Sequence, residues 1–135
     1  MEDYDGVVDV WRRAGLDFKP TGRESRESVE KQLAHFPGTM LVAENDGRIV
    51  GVAFGTHDYR KGWINRLSVA PEAQGGGVAK RLVAAIESEL ERIGVFMLSA
   101  TIMSDNEKSK SLAGKSGYTH HGNVSYFSKK LRDDW

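Results

Sequence analysis

The chain has 135 residues, 39% of them hydrophobic and 28% charged, which suits a folded chain with one continuous core and is too apolar for disorder. Its 19 lysines and arginines offset 19 aspartates and glutamates, so no overall field draws it to nucleic acid or to an anionic membrane. Zero cysteines exclude disulfides, cysteine-ligated zinc and thiol nucleophiles, and the four histidines (His35, His57, His120, His121) lack the i, i+4 spacing of a helical metal pair.

No apolar run approaches the roughly 20 residues of a membrane span, and Met1 to Asp5 is acidic where a signal peptide would be basic. A single cytoplasmic domain over residues 1–135, without metal, is therefore expected. Between Asp3 and Gly15, the residues Val7, Val8, Val10, Trp11 and Ala14 recur with helical spacing, which predicts a first helix. A second helix is predicted from near Ser25, with Ser25 and Ser28 as capping candidates, to just before Pro37.

Thr39 to Glu44 and Arg48 to Gly55 flank Asn45-Asp46-Gly47, the signature of a hairpin. A further strand, Trp63 to Val69, stops at Ala70-Pro71, since proline cannot donate to a ladder. From Val78 to Ile93 an apolar stripe (Leu82, Val83, Ala85, Ile86, Leu90, Ile93) predicts the longest helix, closed by Gly94. Val95 to Ile102 reads as a buried strand, and Asp105 or Ser104 as the cap of a short helix ending at Gly117. A closing hairpin is predicted around Gly122-Asn123, with Val124 to Leu131 as its second strand. The sum is an α+β (mixed α/β) domain with one strand-helix-strand unit spanning Trp63 to Ile102.

The informative segment is the junction Leu67-Ser68-Val69-Ala70-Pro71-Glu72-Ala73-Gln74-Gly75-Gly76-Gly77-Val78-Ala79-Lys80. Three successive glycines remove every Cβ from the turn, so the backbone can take positive φ and its N–H groups can converge on an anion. The helix N-terminus that follows adds unpaired donors and the positive end of a dipole, which favours phosphate. Taken alone, such glycines make a tight strand-to-helix turn as readily as a phosphate site. No Gly-Lys-Ser/Thr follows, and Val78-Ala79 break the Gly-x-Gly-x-x-Gly spacing, so neither a Walker loop nor a dinucleotide fingerprint is present.

The segment does resemble the acyl-CoA pyrophosphate loop of the GNAT superfamily, Gln/Arg-x-x-Gly-x-Gly/Ala, which Gln74, Gly77 and Ala79 match in type and spacing. A second stretch, Asn106 to Tyr118, is similar to that family's Asn-x-x-Ala-x-x-Leu-Tyr-x-Lys-x-Gly-Phe, with Asn106, Leu112, Lys115, Gly117 and Tyr118 in register. The resemblance covers nearly the whole chain. It implies a GNAT-like fold, a mostly antiparallel central sheet flanked by about four helices, and transfer of the acetyl group of acetyl-CoA to a primary amine on a small molecule or a protein. By the same resemblance, backbone groups near Leu67 and Val69, with Ser68 between them, pair with the pantetheine arm, amides of Gln74, Gly75, Gly76, Gly77, Val78 and Ala79 hold the pyrophosphate, and Lys80 stands close enough to reach the phosphate groups. Asn106 and Ser109 of the second stretch border the cofactor.

Three departures from the family matter. The helical pattern begins almost at Met1, so the usual first strand is missing or shortened; the edge this leaves needs protection, and a homodimer is expected. Ala113 stands where many members carry a tyrosine that protonates the departing thiolate, with water, Ser109 or Ser116 as substitutes. Asn65 stands where some carry a glutamate base. A lysine-type amine, with a pKa near 10.4, must lose a proton before it attacks, so a base or a water leading to one is needed. Asp58, His57 and Asn65 are the catalytic candidates. Direct attack in a ternary complex is expected, since neither cysteine nor a Gly-x-Ser-x-Gly elbow is present. A CoA-binding module with little catalysis is the alternative that Ala113 and Asn65 suggest, and an unrelated phosphate-binding domain is a third.

Overall fold

The computed structural model describes residues 2–135, and Met1 lies outside the described residues. In chain order it contains α1 (Tyr4–Arg13), α2 (Arg26–His35), β1 (Met40–Asn45), β2 (Arg48–His57), β3 (Gly62–Val69), a 3-10 turn at Pro71–Ala73, α3 (Val78–Arg92), β4 (Leu98–Ala100) and α4 (Glu107–Lys115). The strands form one sheet in the order β1-β2-β3-β4. The first two pairings are antiparallel and β3–β4 is parallel, the α+β arrangement expected. Among the described residues no strand precedes α1, which leaves β1 as an edge strand, as the early start of the helical pattern predicts.

β2 is the central strand and is covered on both faces. Val52 and Phe54 join Val7, Val8, Val10 and Trp11 of α1 and Val29 of α2 in one core. Ala53, pointing the other way, joins Ile64 and the Leu82, Val83, Ile86 and Leu90 stripe of α3 in a second. Each such buried aliphatic side chain contributes about 1.5–3 kcal/mol, so the two cores hold the sheet between α1 on one face and α3 on the other. Close approach of α3 requires glycine at two points of β2. A Cβ on Gly51 would lie 2.8 Å from Val78 Cγ1, and one on Gly55 2.8 Å from Ile86 Cγ2.

The local signals act as their chemistry predicts. Asp46 and Gly47 both take positive φ, 51° and 77°, which is the type I′ geometry that suits the twist of a two-residue hairpin. The Ser25 hydroxyl accepts from Ser28 N–H at 3.2 Å and caps α2. α3 ends in a Schellman motif: Gly94 N–H donates to Glu91 C=O at 3.1 Å and Val95 N–H to Leu90 C=O at 2.9 Å, with Gly94 at φ 89°.

Three expectations are corrected. β4 spans only Leu98–Ala100 and not Val95 to Ile102. Val95 is consumed by the α3 cap, while Thr101 and Ile102 lie past the last paired residue, Ala100. α4 is capped by Asn106, whose Oδ1 accepts from Ser109 N–H at 3.1 Å, and not by Asp105 or Ser104. The closing hairpin does not form: residues 119–131 contain no strand, and Phe127 and Leu131 are 90% and 88% exposed. Alternation on that segment has no neighbouring strand to satisfy.

Candidate functional site

β3 is not a regular strand. Phe54 of β2 faces Asn65 and Val52 faces Ser68, so Ala53 alone spans Arg66 and Leu67. That extra residue is a β-bulge, and Arg66 takes a φ of 53° to make it. The bulge redirects β3 just after its last contact with β4. The parallel pairing covers only Gly62–Ile64 with Leu98–Ala100. Beyond it the two segments part, and α4 closes the gap.

A cavity of about 220 Å³ fills the opening. Ile64, Asn65, Arg66 and Leu67 form one wall, residues 100–103 the other, and Asn106, Ser109, Leu112, Ala113, Ser116 and Tyr118 the α4 side. A larger groove of about 780 Å³ lies on the other side of α3, against β1, and takes in Gln74, Gly76 and Val78 of the glycine turn. The smaller cavity is the one bounded by the bulge, by Leu67 at the start of the first sequence stretch and by the second stretch.

The glycine turn sits where β3 hands over to α3. Gly75 and Gly77 take φ of 85° and 82°, Gly77 is the N-cap of α3, and no side chain caps the helix. The first intrahelical bond is Arg81 N–H to Gly77 C=O at 3.0 Å, so the N–H groups of the first turn have no intrahelical partner. A Cβ built at Gly75 or Gly77 meets no atom within 4 Å. The turn is thus open on its outer side, and the N–H groups at the start of α3 give it the donor set a diphosphate needs. Gln74 is pinned at both ends of its amide: Nε2 donates to Val69 C=O at 3.1 Å, and Oε1 accepts from Lys108 Nζ at 3.3 Å.

The predicted site residues therefore divide. Asn65, Leu67, Asn106 and Ser109 line one cavity, and Gln74 to Lys80 form the adjoining turn. Ser68 is turned away: its hydroxyl is buried without a partner among the described residues, and it pairs with Val52 inside the sheet. His57 and Asp58 do not line the cavity. His57 pairs with Gly62, at the far end of β3 from the turn. Its Nδ1 accepts from Tyr59 N–H at 3.1 Å, and its ring packs edge-on to Phe36 and Tyr59. Asp58 Oδ1 accepts from Lys61 N–H at 2.8 Å and Arg60 N–H at 3.0 Å, and these two donors hold its carboxyl below the ordinary carboxylate value. A carboxylate so stabilised is a weak base, and its place is structural.

Leu16, Arg66 and Tyr118 also line the cavity, and Lys108 touches the turn, none of them with a site role assigned from the sequence. Arg66 places its guanidinium 4.4 Å from the centre of the Trp11 ring, donates from Nη1 to Asp17 C=O at 2.7 Å, and lies 3.8 Å from Glu24 Oε1. Burial lowers its pKa, partly offset by Glu24. It ties the α1–α2 loop, and with it Leu16, to the bulge. No sequence signal marks Arg66 as inward, because its direction depends on the bulge.

Tyr118 donates from its hydroxyl to Glu87 Oε2 at 3.0 Å, which braces the end of α4 against α3. Burial first, and the Glu87 carboxylate second, raise its pKa above the ordinary tyrosine value. With the folded-state value raised, this contribution is fully present below about pH 10, the unfolded value, and is lost as pH climbs through the folded one. Tyr118→Phe is expected to cost about 1 kcal/mol at neutral pH, with the gap to wild type narrowing above about pH 10. Urea melts across that range test it, and a gap that stays constant contradicts the assignment.

The model of the Acetyltransferase (GNAT) family matches residues 7–118. An acetyltransferase of Photorhabdus laumondii is 31% identical over 132 residues, covering 97% of this chain and 91% of the relative. One of Sodalis glossinidius is 29% identical over 133 residues, covering 98% and 92%. Among solved structures, the PaiA N-acetyltransferase of Thermoplasma acidophilum in complex with coenzyme A has a TM-score of 0.75 at 18% identity, over 86% of this chain and 83% of that one.

Proposed function

This chain belongs to the acetyltransferase (GNAT) family, and from that premise we propose that it transfers the acetyl group of acetyl-CoA to a primary amine by direct attack at the cavity between β3 and β4. The observation that carries this is the adjacency of two features: a strand pair that parts at a bulge, and an uncapped glycine turn at the end of the same strand. One offers backbone to an extended arm, the other offers N–H groups to a diphosphate.

Acetyl-CoA supplies an activated acetyl thioester. The chain's own groups bind and orient it. N–H groups of residues 74–80 hold the diphosphate, and the free edge of β3 at Leu67 and Val69 pairs with the pantetheine amides. The α4 wall at Asn106 and Ser109 closes the far side. Holding the acetyl carbon beside the incoming amine makes the step effectively unimolecular, the largest contribution this site can make.

Proton handling is sparse. No carboxylate or imidazole lines the cavity, so the amine loses its proton through water oriented by the Asn65 carboxamide. On the leaving side, Ala113 cannot donate, while the Ser109 and Ser116 hydroxyls line the same wall. A thiolate of pKa near 8.5 leaves without a strong acid, and general acid help is typically worth about 10²–10⁴-fold.

Acetyl-CoA at about 100 times its Kd is expected to add ~2.7 kcal/mol to folded-state stability, read as a rise in Tm, and thiol release with an amine panel then shows turnover. A Tm that acetyl-CoA leaves unchanged refutes the assignment. A rise in Tm without thiol release over a broad amine panel identifies a CoA-binding module instead.

A further inference from the structure

Lys108 stands near the start of α4, two residues after the Asn106 cap, at a position to which the family's second stretch assigns no residue type. Its ammonium reaches the glycine turn and rests on Gln74 Oε1 at 3.3 Å. Gln74 in turn is latched to Val69 C=O at 3.1 Å. One chain of contacts therefore runs from α4 through Lys108 and Gln74 to the end of β3.

We propose that Lys108 is an electrostatic clasp, closing over the cofactor's diphosphate from the wall opposite the glycine turn. This rests on the proposed function above. The turn presents N–H groups to one side of a diphosphate only, since they all belong to one bend and one helix end. Lys108 reaches the same place from a different element and so covers another side. Its present partner is a neutral, exposed amide oxygen, which is a weak acceptor for an ammonium. A phosphate oxygen carries negative charge and accepts from an ammonium at about 2.7–2.9 Å, against 3.3 Å to the neutral Gln74 oxygen, so a diphosphate seated on the turn takes Lys108 from Gln74.

Neighbouring cations are engaged differently. Arg81 folds back onto Gly76 C=O at 3.5 Å, and Lys110 bonds Ser104 C=O and Glu107 at 3.1 and 3.4 Å. The same helix carries Ser109 and Ala113 and is capped by Asn106, so Lys108 reaches the turn from the element that walls the cavity.

The test is isothermal titration of wild type, Lys108→Gln and Lys108→Arg with CoA, dephospho-CoA and pantetheine. Lys108→Gln is expected to weaken CoA and dephospho-CoA by the same factor, about tenfold or 1.4 kcal/mol, with a shallower salt dependence. Pantetheine binding and the Tm of the unliganded protein stay as in wild type, and Lys108→Arg retains most of the affinity. Unchanged affinity in Lys108→Gln overturns the clasp. So does a loss confined to CoA, which would place Lys108 on the 3′-phosphate, or a loss extending to pantetheine, which would make it a structural strut. Failure of wild type itself to bind CoA would instead bring down the proposed function, and the clasp with it.

Discussion

Gly77→Glu is expected to abolish the rise in Tm that acetyl-CoA gives the wild-type protein. Gly77 is the N-cap of α3 at φ 82°, and its missing Cβ faces no atom within 4 Å. Two costs follow from the substitution, and they can be separated. The backbone cost is that of holding a non-glycine residue in the left-handed region, about 1–2 kcal/mol, or a Tm lower by roughly 3–8 °C. The ligand cost is larger, because a carboxylate is placed where a diphosphate has to meet N–H donors and the positive end of the helix dipole. Gly77→Ala carries the first cost with a methyl and no charge, and is expected to keep most of the acetyl-CoA response. If Gly77→Glu still responds to acetyl-CoA as wild type does, the turn is not the seat of the diphosphate. If Gly77→Ala loses the response as completely as Gly77→Glu, conformation rather than charge governs the turn.

What could be read in advance follows from how local each signal is. The Asp46-Gly47 hairpin, the Gly94 cap and the apolar stripe of α3 depend on residues within one or two turns of each other, and all stand where expected. The glycine turn is legible for the same reason: consecutive glycines before an amphipathic helix leave few backbone alternatives. Strand length is not local. β4 needs β3 beside it, and the bulge at Arg66 takes β3 away after Ile64. The segment after Gly122 alternates like a strand, yet alternation does not name a partner. His57 and Asp58 illustrate a further limit. Chemistry-bearing side chains in a loop suggest catalysis, but the loop lies at the Gly62 end of β3 while the cavity opens from Ile64 onward. Lys108 was hidden for the opposite reason, since an exposed lysine on a short helix has no pattern until its reach to Gln74 is known.

Trp11→Ala is expected to destabilise the protein by about 3–5 kcal/mol, a large share of the ~5–15 kcal/mol that holds a domain of this size together. Trp11 is fully buried at 0% exposure. Its ring lies 5.8 Å from Phe18 and 5.7 Å, edge-on, from Phe54, and it carries the Arg66 guanidinium at 4.4 Å. Removing it leaves a void on the α1 face that Val7, Val10 and Val52 cannot close. The same loss reaches the site, because Arg66 then has no ring beneath it and its hold on Asp17 C=O loosens the α1–α2 loop whose Leu16 lines the cavity. Trp11→Phe separates the two effects. It keeps an aromatic face for Arg66 and deletes Nε1–H, a buried donor without a partner among the described residues, whose removal is worth about 1–3 kcal/mol and offsets much of the lost volume. Denaturant melts are expected to rank wild type and Trp11→Phe close together and Trp11→Ala far below. A Trp11→Ala protein within about 1 kcal/mol of wild type would mean that the α1 face is not part of the cooperative core, and that the bulge holding Arg66 stands without it.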